Sequence, residues 1–285
     1  MQKKLLINGR LVAGQGDVEE ILNPATGKAV ARIADSLAQD MLAGRGTPGL
    51  SIALVRGTDT LVMGGWGKAN LEDDVAATAE TVYRIGSVTK QFTAARVMQF
   101  VEQGNVKLDE TIGTYLPALP MAWRGVTVRQ LLNHTSGIPS YTDVGPRWQR
   151  RWGEEMPPDT IVALTAGDPM WFAPGTSWRY DNSGYVVLGI LIGKISGVAW
   201  SDDFSERLAK PLGLTDTRWC DTKPVIPRRA QGYAVEGTSW INAPYLAMSQ
   251  PYAAGSLCST VRDLTRWNRA LSGGKVVSAA SYAMM

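Results

Sequence analysis

The chain is poor in the residues on which most metal and triad chemistry rests: its 285 residues include one histidine, His134, and two cysteines, Cys220 and Cys258. A single histidine excludes a multi-histidine metal site and any Ser-His-Asp triad not built on His134. A serine nucleophile here therefore needs a base of another kind. Neither cysteine belongs to a C-x-x-C pair or a Cys/His cluster, which argues against zinc. No cofactor or metal is expected; the two cysteines could pair, but two free, partly buried thiols is the plainer reading. Charge of one sign is also scarce, with a formal net of +3. No Lys/Arg cluster alternates with aromatics, so nucleic acid is not an expected partner. The apolar run Leu5-Leu6-Ile7 breaks at Asn8-Gly9, too short for a signal-peptide core or a membrane span. The expectation is a soluble, cytoplasmic protein with no membrane partner. No internal repeat or low-complexity tract is present.

What the chain does have is ten Trp, thirty Gly and fifteen Pro, the composition of a loop-rich globular protein with aromatic-lined clefts. Lys3 to Ala13 reads as a β-hairpin turning at Asn8-Gly9, and Asn23-Pro24-Ala25-Thr26-Gly27 as a second turn. From Ser36 the pattern changes to a short amphipathic helix through Leu37, Met41 and Leu42. Two adjacent antiparallel strands follow, over residues 50–56 and 60–66. A helix over 87–103, closed by Gly104, is apolar round much of its circumference, as a central buried helix would be. Shorter helices are expected over 127–133, 160–165, 183–195, 200–209 and 260–271. The last begins at the capping residues Ser259 and Thr260. Residues 140–180 read as a surface lobe or lid, and 211–255 as irregular with short strands at most.

The helix entrance Arg84-Ile85-Gly86-Ser87-Val88-Thr89-Lys90-Gln91-Phe92 puts Ser87 and Lys90 one turn apart on one face. From Lys90 that face continues through Ala94, Val97, Met98 and Val101, so the ammonium lies at the edge of an apolar stripe. Desolvation lowers a lysine pKa, and a neutral lysine beside a serine can take its proton. The same spacing also fits a Ser87 N-cap with Lys90 snorkelling to water. Tyr180 and Asn182 stand one residue apart in a stretch expected to be extended, so both can point the same way. There a phenol can relay a proton while a carboxamide anchors the substrate. A core tyrosine and a capping asparagine fit the pair as well.

Four ordered segments together resemble the serine β-lactamase and penicillin-binding-protein superfamily, in its class C and family VIII carboxylesterase branch. They are Arg84 to Thr93, Leu131 to Pro139, Tyr180-Asp181-Asn182 with the following Ser-Gly-Tyr, and Ala254-Gly255-Ser256-Leu257 before Ser259-Thr260. The resemblance runs from about residue 36 to the C-terminus. It implies an α/β (α+β) fold, an antiparallel sheet flanked by helices with a helical lobe. It further implies acyl transfer to Ser87 with Lys90 as general base, Tyr180 as acid/base and Asn182 binding substrate. His134 matches a residue that the family uses structurally. Residues 1–35 instead resemble the N-terminal hairpin and Asn-Pro-Ala-Thr-Gly segment of aldehyde dehydrogenases, and form an extension outside the hydrolase domain at 36–285.

The family's third motif, Lys or His followed by Thr or Ser and Gly, is not in this sequence. Lys194, Lys210, Lys223 and Lys275 do not begin such a triplet. The expectation is a sheet lacking its C-terminal strands and an oxyanion hole lacking one of two N–H donors, a loss of about 3–4 kcal/mol in transition-state stabilisation. The exposed sheet edge is expected to be covered by the 3–13 hairpin or by a second copy of the chain. The resulting reading is a serine hydrolase acting on ester, amide or β-lactam groups of a small molecule or short peptide. The alternative is a β-lactamase-fold binding protein that is catalytically impaired.

Overall fold

The computed structural model describes residues 4–7, 10–13, 28–44 and 46–285. The turns expected at Asn8-Gly9 and Asn23 to Gly27 lie outside these residues. β1 (Lys4–Ile7) and β2 (Arg10–Ala13) pair antiparallel from Lys4↔Ala13 to Ile7↔Arg10, the register of a two-residue connection. They form a two-stranded sheet of their own and do not extend the sheet that follows. α1 (Lys28–Ala43) is longer than the short helix expected from Leu37 to Leu42 and begins inside the expected extension. The alanines at 29, 31 and 34 have high helix propensity and carry the helix backward across that boundary.

β3 (Gly49–Arg56) and β4 (Asp59–Asn70) form the long antiparallel pair, with β5 (Val75–Ala76) beside β4. A register shift at Leu54/Val55 marks a bulge. Gly67 has φ +72, and a Cβ there would meet the Pro48 carbonyl at 2.3 Å, so this close approach of two strands admits only glycine. α1 packs on this pair, with Trp66 Nε1 donating to Asp35 at 2.9 Å. β3 is an edge strand among the described residues.

β6 (Tyr83–Arg84) leads to a single 3₁₀ turn, Gly86–Val88, and then to α2 (Thr89–Glu102). The helix expected to start at Ser87 thus starts two residues later, with Ser87 in the tighter turn before it. α2 buries Phe92, Ala95, Val97, Met98 and Phe100 in the main core. Phe92 packs against Trp267 with ring centres 4.1 Å apart. Arg96, also buried, forks onto Asp203 at 2.6 and 3.0 Å. α3 (Val128–Leu132) starts with a capping box between Thr127 and Gln130. The 140–180 lobe carries a turn at Tyr141–Asp143 and short helices at Pro146–Gln149 and Pro158–Ala163.

α4 (Asn182–Ser196) is the second core helix, capped by Asp181 at one end and stopped by Gly197 in the left-handed region at the other. The Tyr180-to-Asn182 stretch is therefore not extended throughout, because Asn182 already belongs to the helix. Trp200–Phe204 continues into a π-helical turn, Ser205–Ala209. α4 and this segment are apolar enough to pass as a bent membrane pair. Their side chains, however, fill the core, and no single described helix is long and apolar enough to cross a membrane.

The segment expected to be irregular with short strands at most holds three of them, β7 (Arg218–Trp219), β8 (Tyr233–Glu236) and β9 (Ser239–Asn242). A turn of helix at Tyr252–Gly255 then precedes β10 (Leu257–Ser259). α5 (Val261–Ser272) is capped by Thr260 alone, since Ser259 ends the strand. β10 lies between β6 and β7 in a small antiparallel sheet, pairing Cys258 with Arg84 and Leu257 with Trp219. Cys220 and Cys258 are free, but fully rather than partly buried, because this sheet closes over them with Val82, Ile226 and Met248.

Candidate active site

Three elements converge on Ser87. β6 and the 3₁₀ turn present its hydroxyl, α2 brings Lys90 beneath it, and the entrance of α4 brings Tyr180 and Asn182 over it. Lys90 Nζ lies 3.3 Å from Ser87 Oγ, and the phenol of Tyr180 donates to the same oxygen at 2.5 Å. Lys90 also donates to Asn182 Oδ1 at 2.7 Å and to the Ala254 carbonyl at 2.8 Å. Both of those partners only accept, whereas a serine hydroxyl can donate. A neutral amine, with two N–H bonds and one lone pair, fits these three neighbours: two hydrogens for the acceptors and the lone pair for Ser87.

Burial makes that neutral form accessible near pH 7. Burial lowers the Lys90 pKa to about 7, against an opposing pull from the Asp181 carboxylate. The side chain does not snorkel, for Lys90 is only 7% exposed. Its face of α2 packs against α4 and the 252–255 turn.

Asn182 is held by a second bond, its Nδ2 donating to Thr142 Oγ1 at 3.0 Å. This fixes which end of the carboxamide faces Lys90. Asp181 was not singled out as a site residue in the sequence, although an aspartate directly before an apolar helical run is an N-cap signal. Its Oδ2 accepts from Gly184 N at 2.9 Å and Ser136 Oγ at 3.3 Å, while Oδ1 is buried without a partner. Burial pushes its pKa up to about 7. Also unforeseen is the Ala254 carbonyl, since a backbone acceptor leaves no mark on residue type.

His134 does not reach Ser87. Its backbone is left-handed, φ 63, and its Nδ1 accepts from the Asp181 N–H at 3.1 Å. The ring lies 4.7 Å from the Tyr180 ring and 5.3 Å from that of Tyr185. Burial first, and the Lys90 charge second, lower its pKa to about 4, so it stays a neutral acceptor that steadies the Tyr180-Asp181 backbone. Ser87, Asn182 and Ala254 open on a cleft of about 310 Å³, whose other walls include Arg84, Tyr141, Trp148, Leu246 and Met248. Among the described residues, no group of His, Cys, Asp and Glu is placed to hold a metal ion.

Known proteins share this arrangement of elements. The chain is 28% identical over 225 residues to Protein flp of Staphylococcus aureus (strain NCTC 8325 / PS 47), a match covering 77% of this chain and 44% of flp. Among solved structures it resembles the D-amino acid amidase of Ochrobactrum anthropi SV3. That match has a TM-score of 0.79 and 30% identity, covering 89% of this chain and 73% of the amidase. It also resembles the octameric penicillin-binding protein homologue of Pyrococcus abyssi, with a TM-score of 0.77 and 30% identity, covering 89% of this chain and 59% of the homologue. The chain spans about half the length of the curated relatives it matches, between 44% and 57%. The family model described as Beta-lactamase matches residues 34–285, and the chain belongs to that family of β-lactamase and penicillin-binding-protein serine hydrolase folds.

Proposed function

We propose that the chain is a serine acyl hydrolase in which Ser87 is the nucleophile, Lys90 the general base, Tyr180 the proton relay and Asn182 a substrate-binding residue. One observation carries this reading: Ser87 Oγ lies within hydrogen-bond reach of both a buried lysine and a phenol. In the acylation step Ser87 Oγ bonds to the carbonyl carbon of an ester, amide or β-lactam, and its proton passes to Lys90 Nζ. The bond to the leaving group then breaks, and the departing atom takes a proton through Tyr180. Water attacks the acyl-enzyme by the reverse route, which returns the proton to Ser87. Relatives named as an amidase and as penicillin-binding proteins support the amide and β-lactam members of this range.

Intact-mass detection of an adduct with a fluorophosphonate or a labelled penicillin tests the reading. The adduct is expected on the wild-type chain and absent from Ser87→Ala. No adduct on the wild type, with the penicillin still retained, would instead support a binding protein with the cleft but without turnover.

We also propose that the open edge of β3 pairs with a second copy of the chain. Light scattering that finds only monomer at high concentration would remove that proposal.

A further inference from the structure

The apolar half of the cleft is not a loose collection of side chains. Gln250 is fully buried, and its Nε2 donates to the carbonyls of Arg151, Trp152 and Glu154 at 2.6, 3.2 and 2.7 Å. Its Oε1 accepts from Trp148 Nε1 at 2.7 Å, and its backbone carbonyl accepts from the Tyr141 hydroxyl at 3.0 Å. The one polar atom of the Trp148 indole is thus satisfied by a buried residue that is not part of the cleft lining. The ring stands edge to face against Tyr141, 5.5 Å between centres and 86° between planes, and meets Trp152 at 5.5 Å on another side. Trp148 therefore lines the cleft with an apolar ring whose position is fixed before anything binds, which lowers the ordering cost of binding. Leu246, Met248 and Pro251 complete this wall, and Ser87 opens on the same cleft. At about 310 Å³ the cleft lies at the small end of ligand sites, a volume that suits a compact group.

We infer that Trp148 is a specificity-determining residue and that the preferred acyl donor carries a single aromatic ring on its acyl side. The inference rests on the hydrolase reading for the position of the scissile carbonyl at Ser87, and on the geometry of the wall for the ring.

The test uses the full chain and two esters with the same leaving group, 4-nitrophenyl acetate and 4-nitrophenyl phenylacetate. The wild type is expected to form acyl-Ser87 faster from the phenylacetyl ester by at least about 10-fold in kcat/KM, the scale on which an apolar pocket discriminates. Trp148→Ala should bring the phenylacetyl-to-acetyl ratio near one, and Trp148→Phe, which keeps a flat ring, should retain most of the preference. Equal losses on both esters in Trp148→Ala would mean that the nitrophenyl group occupies the wall, and would overturn the acyl-side assignment. A second arm does not depend on turnover: calorimetry on Ser87→Ala should show phenylacetamide binding and acetamide not, with binding lost in Ser87→Ala/Trp148→Ala. Failure of both esters to acylate wild-type Ser87 would defeat the hydrolase reading. Equal binding of phenylacetamide with and without Trp148 would defeat this inference.

Discussion

Tyr180 Oη lies nearer to Ser87 Oγ than Lys90 Nζ does, 2.5 Å against 3.3 Å. The phenol is already hydrogen-bonded to the proposed nucleophile, while the lysine, tied to Asn182 and Ala254, faces it at the long end of hydrogen-bond reach. The two groups are therefore expected to fail differently when removed. Lys90→Met should lower the rate of Ser87 acylation by about 10²–10⁴-fold, the usual contribution of a positioned base. Tyr180→Phe should slow release of a poor leaving group, such as an amide, more than that of nitrophenolate, which needs no proton. Stopped-flow acylation with matched ester and amide donors checks this; equal losses on both donors in Tyr180→Phe would count against a leaving-group role.

Acylation should rise with pH through a midpoint near 7, because burial lowers the Lys90 pKa to about 7 and only the neutral amine can accept a proton. A fluorophosphonate labelling rate that stays flat from pH 5 to about 9 would show that Lys90 is not the base.

The carboxyl of Asp181 supplies an opposing signal in stability. Burial raises its folded pKa to about 7, from the ordinary aspartate value of 3.8. The folded chain thus binds the proton more tightly, and this contribution is full below the unfolded value and lost as pH rises through the folded one. Asp181→Asn keeps a capping side chain for α4 but removes the titration. The variant should gain melting temperature relative to wild type on going from pH 4 to pH 8. It should also move the acylation midpoint below that of wild type, since the Asp181 charge is what raises the Lys90 pKa. Parallel melting curves for the two proteins across that range would show that Asp181 is not buried as a titrating group.

Much of this was legible because periodicity and caps are local. The α2 pattern from Phe92 to Phe100, the long β3–β4 pair and the apolar run of α4 each announce themselves within one segment. The spacing of Ser87 and Lys90, and of Tyr180 and Asn182, is legible for the same reason. What was not legible depends on contacts far apart in the chain. The Ala254 carbonyl meets Lys90 across 164 positions, and Gln250 gathers carbonyls almost a hundred residues away. The full burial of Cys220 and Cys258 arises only once β10 is inserted between β6 and β7. Asp181 is readable as a cap, but its burial beside Lys90 arises only from the packing of the folded chain.

Arg96 and Asp203 form an ion pair inside the core, with side chains 8% and 1% exposed, and the guanidinium also lies 3.9 Å from the Phe100 ring centre. Removing one partner strands the other charge in an apolar surrounding. Asp203→Ala is expected to cost about 3–5 kcal/mol of unfolding free energy. Replacing both by Met and Leu should recover most of that loss. Denaturant titration of the single and double variants decides it, and a single variant within about 0.5 kcal/mol of wild type, the scatter of surface substitutions, would contradict the pairing.

Gly189 connects the fold to the site. It sits in the middle of α4, and a Cβ there would meet the Ala253 Cβ at 2.4 Å and the Tyr252 ring at 2.5 Å. Glycine is unfavourable inside a helix by about 1 kcal/mol relative to alanine, so propensity alone predicts that Gly189→Ala stabilises. Packing opposes this, because the 252–255 turn rests on α4 at this point and cannot take a methyl group without moving. That turn also supplies the Ala254 carbonyl that holds Lys90. Overpacking of this kind costs about 1–3 kcal/mol, which outweighs the propensity gain. Gly189→Ala should therefore melt lower than wild type and should acylate Ser87 more slowly, even at temperatures where it is fully folded. A variant that melts higher and keeps the wild-type rate would show that the turn can yield, and that the position of Ala254 is not set by its contact with α4.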